Sequence, residues 1–206
     1  MNRERIGRRT ILAGAGAWIL RPLQARAATP TPARPRVALT TPKGVIVIEL
    51  AMDKAPMTAG NFLRYVEAKK YDGGSIYRAV RDGGKGMGTI QGGASPKARP
   101  FRPIEHESTT KTGIKHRAGT ISMGRLEPGS ATSDFFICAS AQPYLDANPK
   151  AKGDNLGYAA FGQVVEGMSV VKAILAGRTD GKAIVPAMKG QMLNPPVPIV
   201  SAKRMA

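Results

Sequence analysis

The sequence predicts a mainly β domain, a barrel or sandwich capped by two helices. Three observations carry this reading. Short apolar, β-branched runs recur between glycine-rich turns along most of the chain. Only two stretches show apolar residues at helical spacing. Gly 24 and Pro 16 in 206 residues are too many for a helical bundle. Hydrophobic residues make up 42%, enough for a core, which excludes wholesale disorder.

Residues 1–27 read as an export signal. Arg3, Arg5, Arg8 and Arg9 form a basic start, Ile11–Leu20 is apolar, and Ala25-Arg26-Ala27 is a small-residue cleavage motif. The run Arg8-Arg9-Thr10-Ile11-Leu12 resembles a twin-arginine signal. The apolar stretch is shorter than the ~20 residues that span a bilayer, so no stable membrane insertion is expected. Residues 28–36 (ATPTPARPR) are Pro/Thr-rich and read as a flexible linker, leaving 37–206 as the ordered domain.

Within that domain, Val37–Thr40 and Val45–Leu50 flank the turn Thr41-Pro42-Lys43-Gly44, a hairpin. Residues 55–70 read as a helix, with Pro56 in its first turn and Phe62, Leu63 and Val66 on one face. Strands are expected over Ser75–Val80, Gly88–Gln91, Gly119–Met123, Phe135–Ala139 and Ala159–Val164. A second helix is expected over Met168–Leu175 and a last strand over Ile199–Lys203.

Several chemistries fail on their residues. His106-Glu107 starts an H-E-x-x-H pattern, but Thr110 stands where the second histidine must be. His106 and His116 lie in polar, turn-like segments, there is no G-x-S-x-G motif, and both read as surface or loop histidines. Gly83-Gly84-Lys85-Gly86 lacks the G-K-[ST] ending of a phosphate loop. A single cysteine, Cys138, excludes an internal disulfide and a cysteine-based zinc cluster. Aromatics at 5% provide no stacking platform for single-stranded nucleic acid.

Other segments form an ordered set. Asp53-Lys54-Ala55-Pro56-Met57-Thr58 runs into Asn61-Phe62-Leu63. Tyr71-Asp72-Gly73-Gly74-Ser75-Ile76-Tyr77-Arg78 follows, then Ile90-Gln91-Gly92-Gly93. Gly119-Thr120-Ile121-Ser122-Met123, Ser133-Asp134-Phe135-Phe136-Ile137 and Phe161-Gly162-Gln163-Val164-Val165-Glu166-Gly167-Met168 complete it. In residues and order the set resembles the cyclophilins, the peptidyl-prolyl cis–trans isomerases, over roughly residues 37–203. The resemblance implies a closed, eight-stranded antiparallel barrel with a helix capping each end, and a groove for X-Pro peptides on its outer wall. It implies no cofactor and no metal.

The resemblance also implies site residues. Arg78 takes the catalytic position and Gln91 bonds the substrate backbone. Phe136 and Leu145 wall the proline pocket. Tyr144 stands where many members have tryptophan, and Tyr158 where many have histidine. Gly88 and Thr89 stand where the family usually has phenylalanine and methionine, and Gly124 where it has alanine, so the pocket loses two large apolar walls and Met87 is the candidate substitute. Phe135, next to Phe136, is expected in the core, because neighbours on a strand face opposite sides. Residues 81–87 and 147–155 read as added loops.

These observations predict an exported, periplasmic isomerase, monomeric, acting on unfolded or flexible proline-containing chains. A catalytically weak proline-peptide-binding module of the same fold is the alternative that Gly88, Thr89 and Gly124 motivate. Net charge does not choose a partner. Of the +17, the signal's six Arg and one Glu hold +5; the remaining +12 is dispersed, without the run of consecutive Lys/Arg typical of a nucleic-acid arm.

Overall fold

The computed structural model describes residues 34–206. The proposed signal and the linker through residue 33 lie outside the described residues. Nine strands form one antiparallel sheet: β1 Arg36–Thr41, β2 Gly44–Leu50, β3 Ser75–Arg81, β4 Gly88–Gly93, β5 Thr120–Met123, β6 Phe135–Cys138, β7 Ala160–Glu166, β8 Met192–Pro198 and β9 Ser201–Arg204. Their order across the sheet is β8-β3-β4-β6-β5-β7-β2-β1-β9. Three helices accompany them, α1 Pro56–Glu67, α2 Thr109–Thr112 and α3 Met168–Leu175.

The first hairpin shows why these residues choose this shape. The Thr41 hydroxyl accepts from Lys43 N–H and donates to the Gly44 carbonyl, closing the turn in place. Gly44 has φ +127°, a conformation that favours glycine. Val37, Leu39, Ile46, Ile48 and Leu50 then bury completely on the inner face. Each such side chain contributes about 1.5–3 kcal/mol relative to exposure.

α1 starts at Pro56, whose missing N–H costs nothing in a first turn. Its free N–H groups find a distant partner: the Glu107 carboxylate accepts from Thr58 N–H (2.7 Å), the Thr58 hydroxyl (2.5 Å) and Met57 N–H (3.3 Å). A carboxylate there also complements the helix dipole. Phe62 from α1 packs on Tyr71, Phe161 and Phe135, with centroids 5.0, 5.2 and 5.7 Å away. Phe135 is fully buried, as the alternation on β6 requires. Val171, Ile174 and Leu175 of α3 join the same core. Cys138 is buried and unpaired, and burial pushes its thiol up to about 12.

Three expectations change. The strand count is nine rather than eight, because β8 was hidden by Pro195, Pro196 and Pro198. Proline lacks the N–H a central strand needs but is tolerated where a strand is paired along one side; β3 is the one strand paired with β8, and on its other side only Met192 and Asn194, ahead of the prolines, bond residues 178–181. Only Ile199 and Val200 separate β8 from β9; the Ile199 N–H donates to Gly74 O and the Val200 N–H to Thr40 O. Residues 34–36 were expected in the linker, yet Arg34 pairs with Asp53 at 2.8 Å, Pro35 O accepts from Leu50 N–H, and Arg36 opens β1. Arg81, expected in an added loop, ends β3 and donates to the carbonyls of Leu175 and Gly177, the unpaired end of α3.

Candidate active site

β3 does not alternate regularly. Ile76 pairs with Gly92 and Arg78 with Gln91, so β3 spends two residues where β4 spends one. This bulge at Tyr77 turns both Tyr77 and Arg78 outward, while Ile76 and Ala79 stay in the core. Gln91 lies beside Arg78 on β4, and Phe136 lies beside Gln91 on β6. Pairing across three adjacent strands thus brings arginine, glutamine and phenylalanine together.

They line a groove of about 670 Å³. All eight residues proposed from sequence line it: Arg78, Thr89, Gln91, Gly124, Phe136, Tyr144, Leu145 and Tyr158. Met87 does not; it packs over Gly83 and Gly84 at a loop tip, where glycines leave room for its thioether.

The guanidinium of Arg78 is held from two sides. Its Nη1 donates to Gln91 Oε1 at 2.9 Å, and Nε and Nη2 donate to Gln191 Oε1 at 2.8 and 2.5 Å. These use three of its five N–H groups and leave two for a ligand. Gln91 Nε2 donates to the Tyr77 hydroxyl at 2.9 Å, which donates to Asp134 Oδ2 at 3.1 Å. Burial raises the pKa values of Tyr77 and Asp134, and the nearby Asp134 charge raises that of Tyr77 further.

Phe136 is braced from behind. His116 stacks on it with centroids 5.8 Å apart, and Tyr158 meets it edge-on at 5.3 Å. His116 was expected at the surface; it is buried, because every polar atom of its ring finds a partner. Nδ1 bonds Asp146 Oδ1 at 2.8 Å and Nε2 bonds the Ser122 hydroxyl at 3.1 Å. The carboxylate can only accept, so Nδ1 carries the proton and Nε2 of the neutral ring accepts from Ser122. Burial lowers the His116 pKa, which keeps the ring neutral. Although Ser122, His116 and Asp146 lie in triad order, Ser122 and the His116 ring are fully buried, so no substrate reaches them. The array instead fixes Asp146, and with it the neighbouring Leu145, at the groove edge.

The opposite wall comes from loops. The buried guanidinium of Arg125 donates to Asp154, Gly157 O and Leu126 O and lies 5.1 Å from the Tyr158 ring centroid. Tyr144 stands at the rim, its hydroxyl donating to Asp82. Ile184, Val185, Ala187 and Met188 complete the wall.

Sequence reasoning missed Tyr77, Asp134, Arg125 and Gln191. Tyr77 faces the groove only because of the bulge, which regular strand alternation does not foresee. Gln191 lies 113 residues from Arg78 and carries no local signal. Among the described residues no group of three or more His, Cys, Asp and Glu side chains is placed to hold a metal ion.

A nine-stranded antiparallel sheet with capping helices and an arginine–glutamine–phenylalanine groove on its outer face defines a narrow structural class. The model of the cyclophilin-type peptidyl-prolyl cis-trans isomerase family matches residues 36–204. A peptidyl-prolyl cis-trans isomerase of Streptomyces antibioticus is 35% identical over 175 residues, covering 81% of this chain and 96% of that protein. Peptidyl-prolyl cis-trans isomerase A of Dickeya dadantii is 35% identical over 150 residues, covering 70% and 73%. The crystal structure of a cyclophilin-type isomerase of Cryptosporidium parvum superposes with TM-score 0.67 at 21% identity, covering 84% of this chain and 98% of that one. Another structure of that protein, solved in the presence of the dipeptide Ala-Pro, gives 0.64. The chain belongs to the cyclophilin-type peptidyl-prolyl cis-trans isomerases and is an isomerase of that class.

Proposed function

We propose that the groove centred on Arg78 rotates X-Pro bonds in exported, unfolded or flexible polypeptides and so assists their folding. The carrying observation is the guanidinium, held by Gln91 and Gln191, in a groove shared with Phe136 and Leu145. The X-Pro amide resists rotation by ~20 kcal/mol because of its partial double-bond character. As it twists, the proline nitrogen gains a lone pair that the planar amide lacks. A charged, fixed donor stabilises that lone pair selectively, which lowers the barrier without bond breaking. Phe136 holds the proline ring, backed by His116; Leu145 and Tyr158 close the pocket, and Tyr144 covers its rim. Gln91 bonds the peptide backbone while it restrains Arg78. The reaction needs neither metal nor cofactor.

In this reading residues 1–27 direct export, 28–33 are a linker, and the mature domain works as a monomer in a bacterial periplasm. Counting β8 and β9 as one bent strand gives the eight-stranded closed barrel; the two-residue break between them supports that count.

The test is cis–trans exchange of an Ala-Pro peptide. Wild type accelerates it, and Arg78→Ala lowers the rate by about 10²–10³-fold, the usual cost of losing a transition-state donor. Equal rates would remove Arg78 from the mechanism. Thr89 and Gly124 leave the pocket without large side chains on one side, which favours a second reading: binding at Phe136 without acceleration.

A further inference from the structure

The groove contains one carboxylate that the isomerisation step does not use. Asp134 lies two residues before Phe136, so both side chains face the groove about 7 Å apart along an extended chain. Its Oδ2 is fixed by the Tyr77 hydroxyl. Its Oδ1 lies against Gly93, where a Cβ would collide with it, so glycine at 93 is what leaves room for the carboxylate.

Among the described residues Asp134 has no ion-pair partner, as is also true of Asp72, Asp82, Glu105, Glu107, Glu127 and Glu166, but of these Asp134 is the one that lines the groove. Both groove arginines are engaged elsewhere: Arg78 with the two glutamines, Arg125 with Asp154 and two carbonyls. A half-buried carboxylate with a single neutral donor has most of its acceptor capacity unused, and desolvation penalises its charge until a cation arrives. Burial raises its pKa, in keeping with a carboxylate that lacks a cation.

We propose that Asp134 is a specificity residue: it selects proline-containing chains that carry a cationic group, a Lys or Arg side chain or a free amino terminus, within about two residues of the proline, since two extended residues span about 7 Å. This rests on the proline-groove reading above. The overall charge of +17 works against cationic peptides, so a preference for them has a local origin.

The test uses full-length protein and capped peptides with one central proline, bearing Lys, Leu or Glu at each of the two positions on either side. Affinities are read by NMR titration. In at least one position the Lys peptide binds about tenfold more tightly than its Leu counterpart, as a single desolvated charge-assisted contact allows. Glu at that position binds more weakly than Leu. Asp134→Asn reduces the Lys/Leu ratio to below about twofold and Asp134→Glu retains most of it. Because the ratio is taken within each variant, a general loss of affinity does not mimic the effect. Equal affinities for Lys and Leu at all positions, or a ratio unchanged in Asp134→Asn, overturn the assignment while leaving the proline groove intact. Failure of every peptide to bind overturns the groove reading and this assignment with it.

Discussion

The two walls of the groove are built differently. On one side Arg78, Thr89, Gln91 and Phe136 stand on β3, β4 and β6, each placed by ladder hydrogen bonds to its neighbour. On the other, Gly124–Leu126, the Pro143–Tyr158 segment and Ile184–Gln191 are loops, held by side-chain anchors (Arg125 on Asp154, His116 on Asp146, Arg78 on Gln191) and scattered backbone bonds such as Tyr158 N–H to Leu145 O, with no continuous ladder. The strand wall is continuous with the core, so its geometry is as stable as the fold. The loop wall keeps exposed apolar groups at the rim, Leu126 at 88% and Ile184 at 69% relative exposure. In the function proposed above, positioning for chemistry belongs to the first, and adjustable contact with the peptide belongs to the second.

Matched truncations sharpen that contrast most. Phe136→Ala removes a buried ring between His116 and Tyr158 and destabilises the domain by about 3–5 kcal/mol in denaturant unfolding. Leu145→Ala, on the partly exposed loop wall, costs roughly 1 kcal/mol and shows mainly as a raised KM. Equal losses would mean that the two walls form one cooperative unit.

A smaller, local effect is expected at the loop anchor. Arg125→Ala releases Asp154 and Gly157, so amide exchange accelerates across 147–157 while β3, β4 and β6 keep their protection. Uniform acceleration across both walls would contradict the division.

The smallest effect is pH-dependent. Burial depresses the folded-state pKa of His116 below its ordinary 6.5, so the unfolded chain binds its proton more readily. The associated stability is fully present above 6.5 and declines as pH falls toward the depressed value. The thermal midpoint therefore drops on acidification below 6.5, and less so in His116→Gln. Identical pH dependence in the two proteins would assign the drop to other groups.

The strand wall was largely legible in the sequence and the loop wall only in part. Val45–Leu50, Pro56 with Phe62 and Leu63, and Phe135-Phe136 announce themselves through local pattern, since burial and alternation act on neighbouring residues. The motifs around Arg78, Gln91 and Phe136 located the groove because they lie on paired strands. What escaped depends on contacts remote in sequence or on an irregular register. The extra residue at Tyr77 cancels the alternation rule, the prolines of β8 disguise a one-sided strand, and Gln191 meets Arg78 only after the chain has crossed the whole sheet. His116 was misread because polar neighbours in sequence hid partners, Asp146 and Ser122, that only the fold supplies.

The adjacency of β8 and β9 in the chain has a consequence for how the sheet comes into being. β1 and β3 each need one more neighbour, and both neighbours lie within residues 192–204. Synthesis delivers the chain from its N-terminal side, so two unpaired sheet edges persist until that last segment emerges. An unpaired edge is a template for association with other chains. An isomerase built this way is itself exposed to misassembly late in its own synthesis, and a single short segment, once delivered, covers both edges.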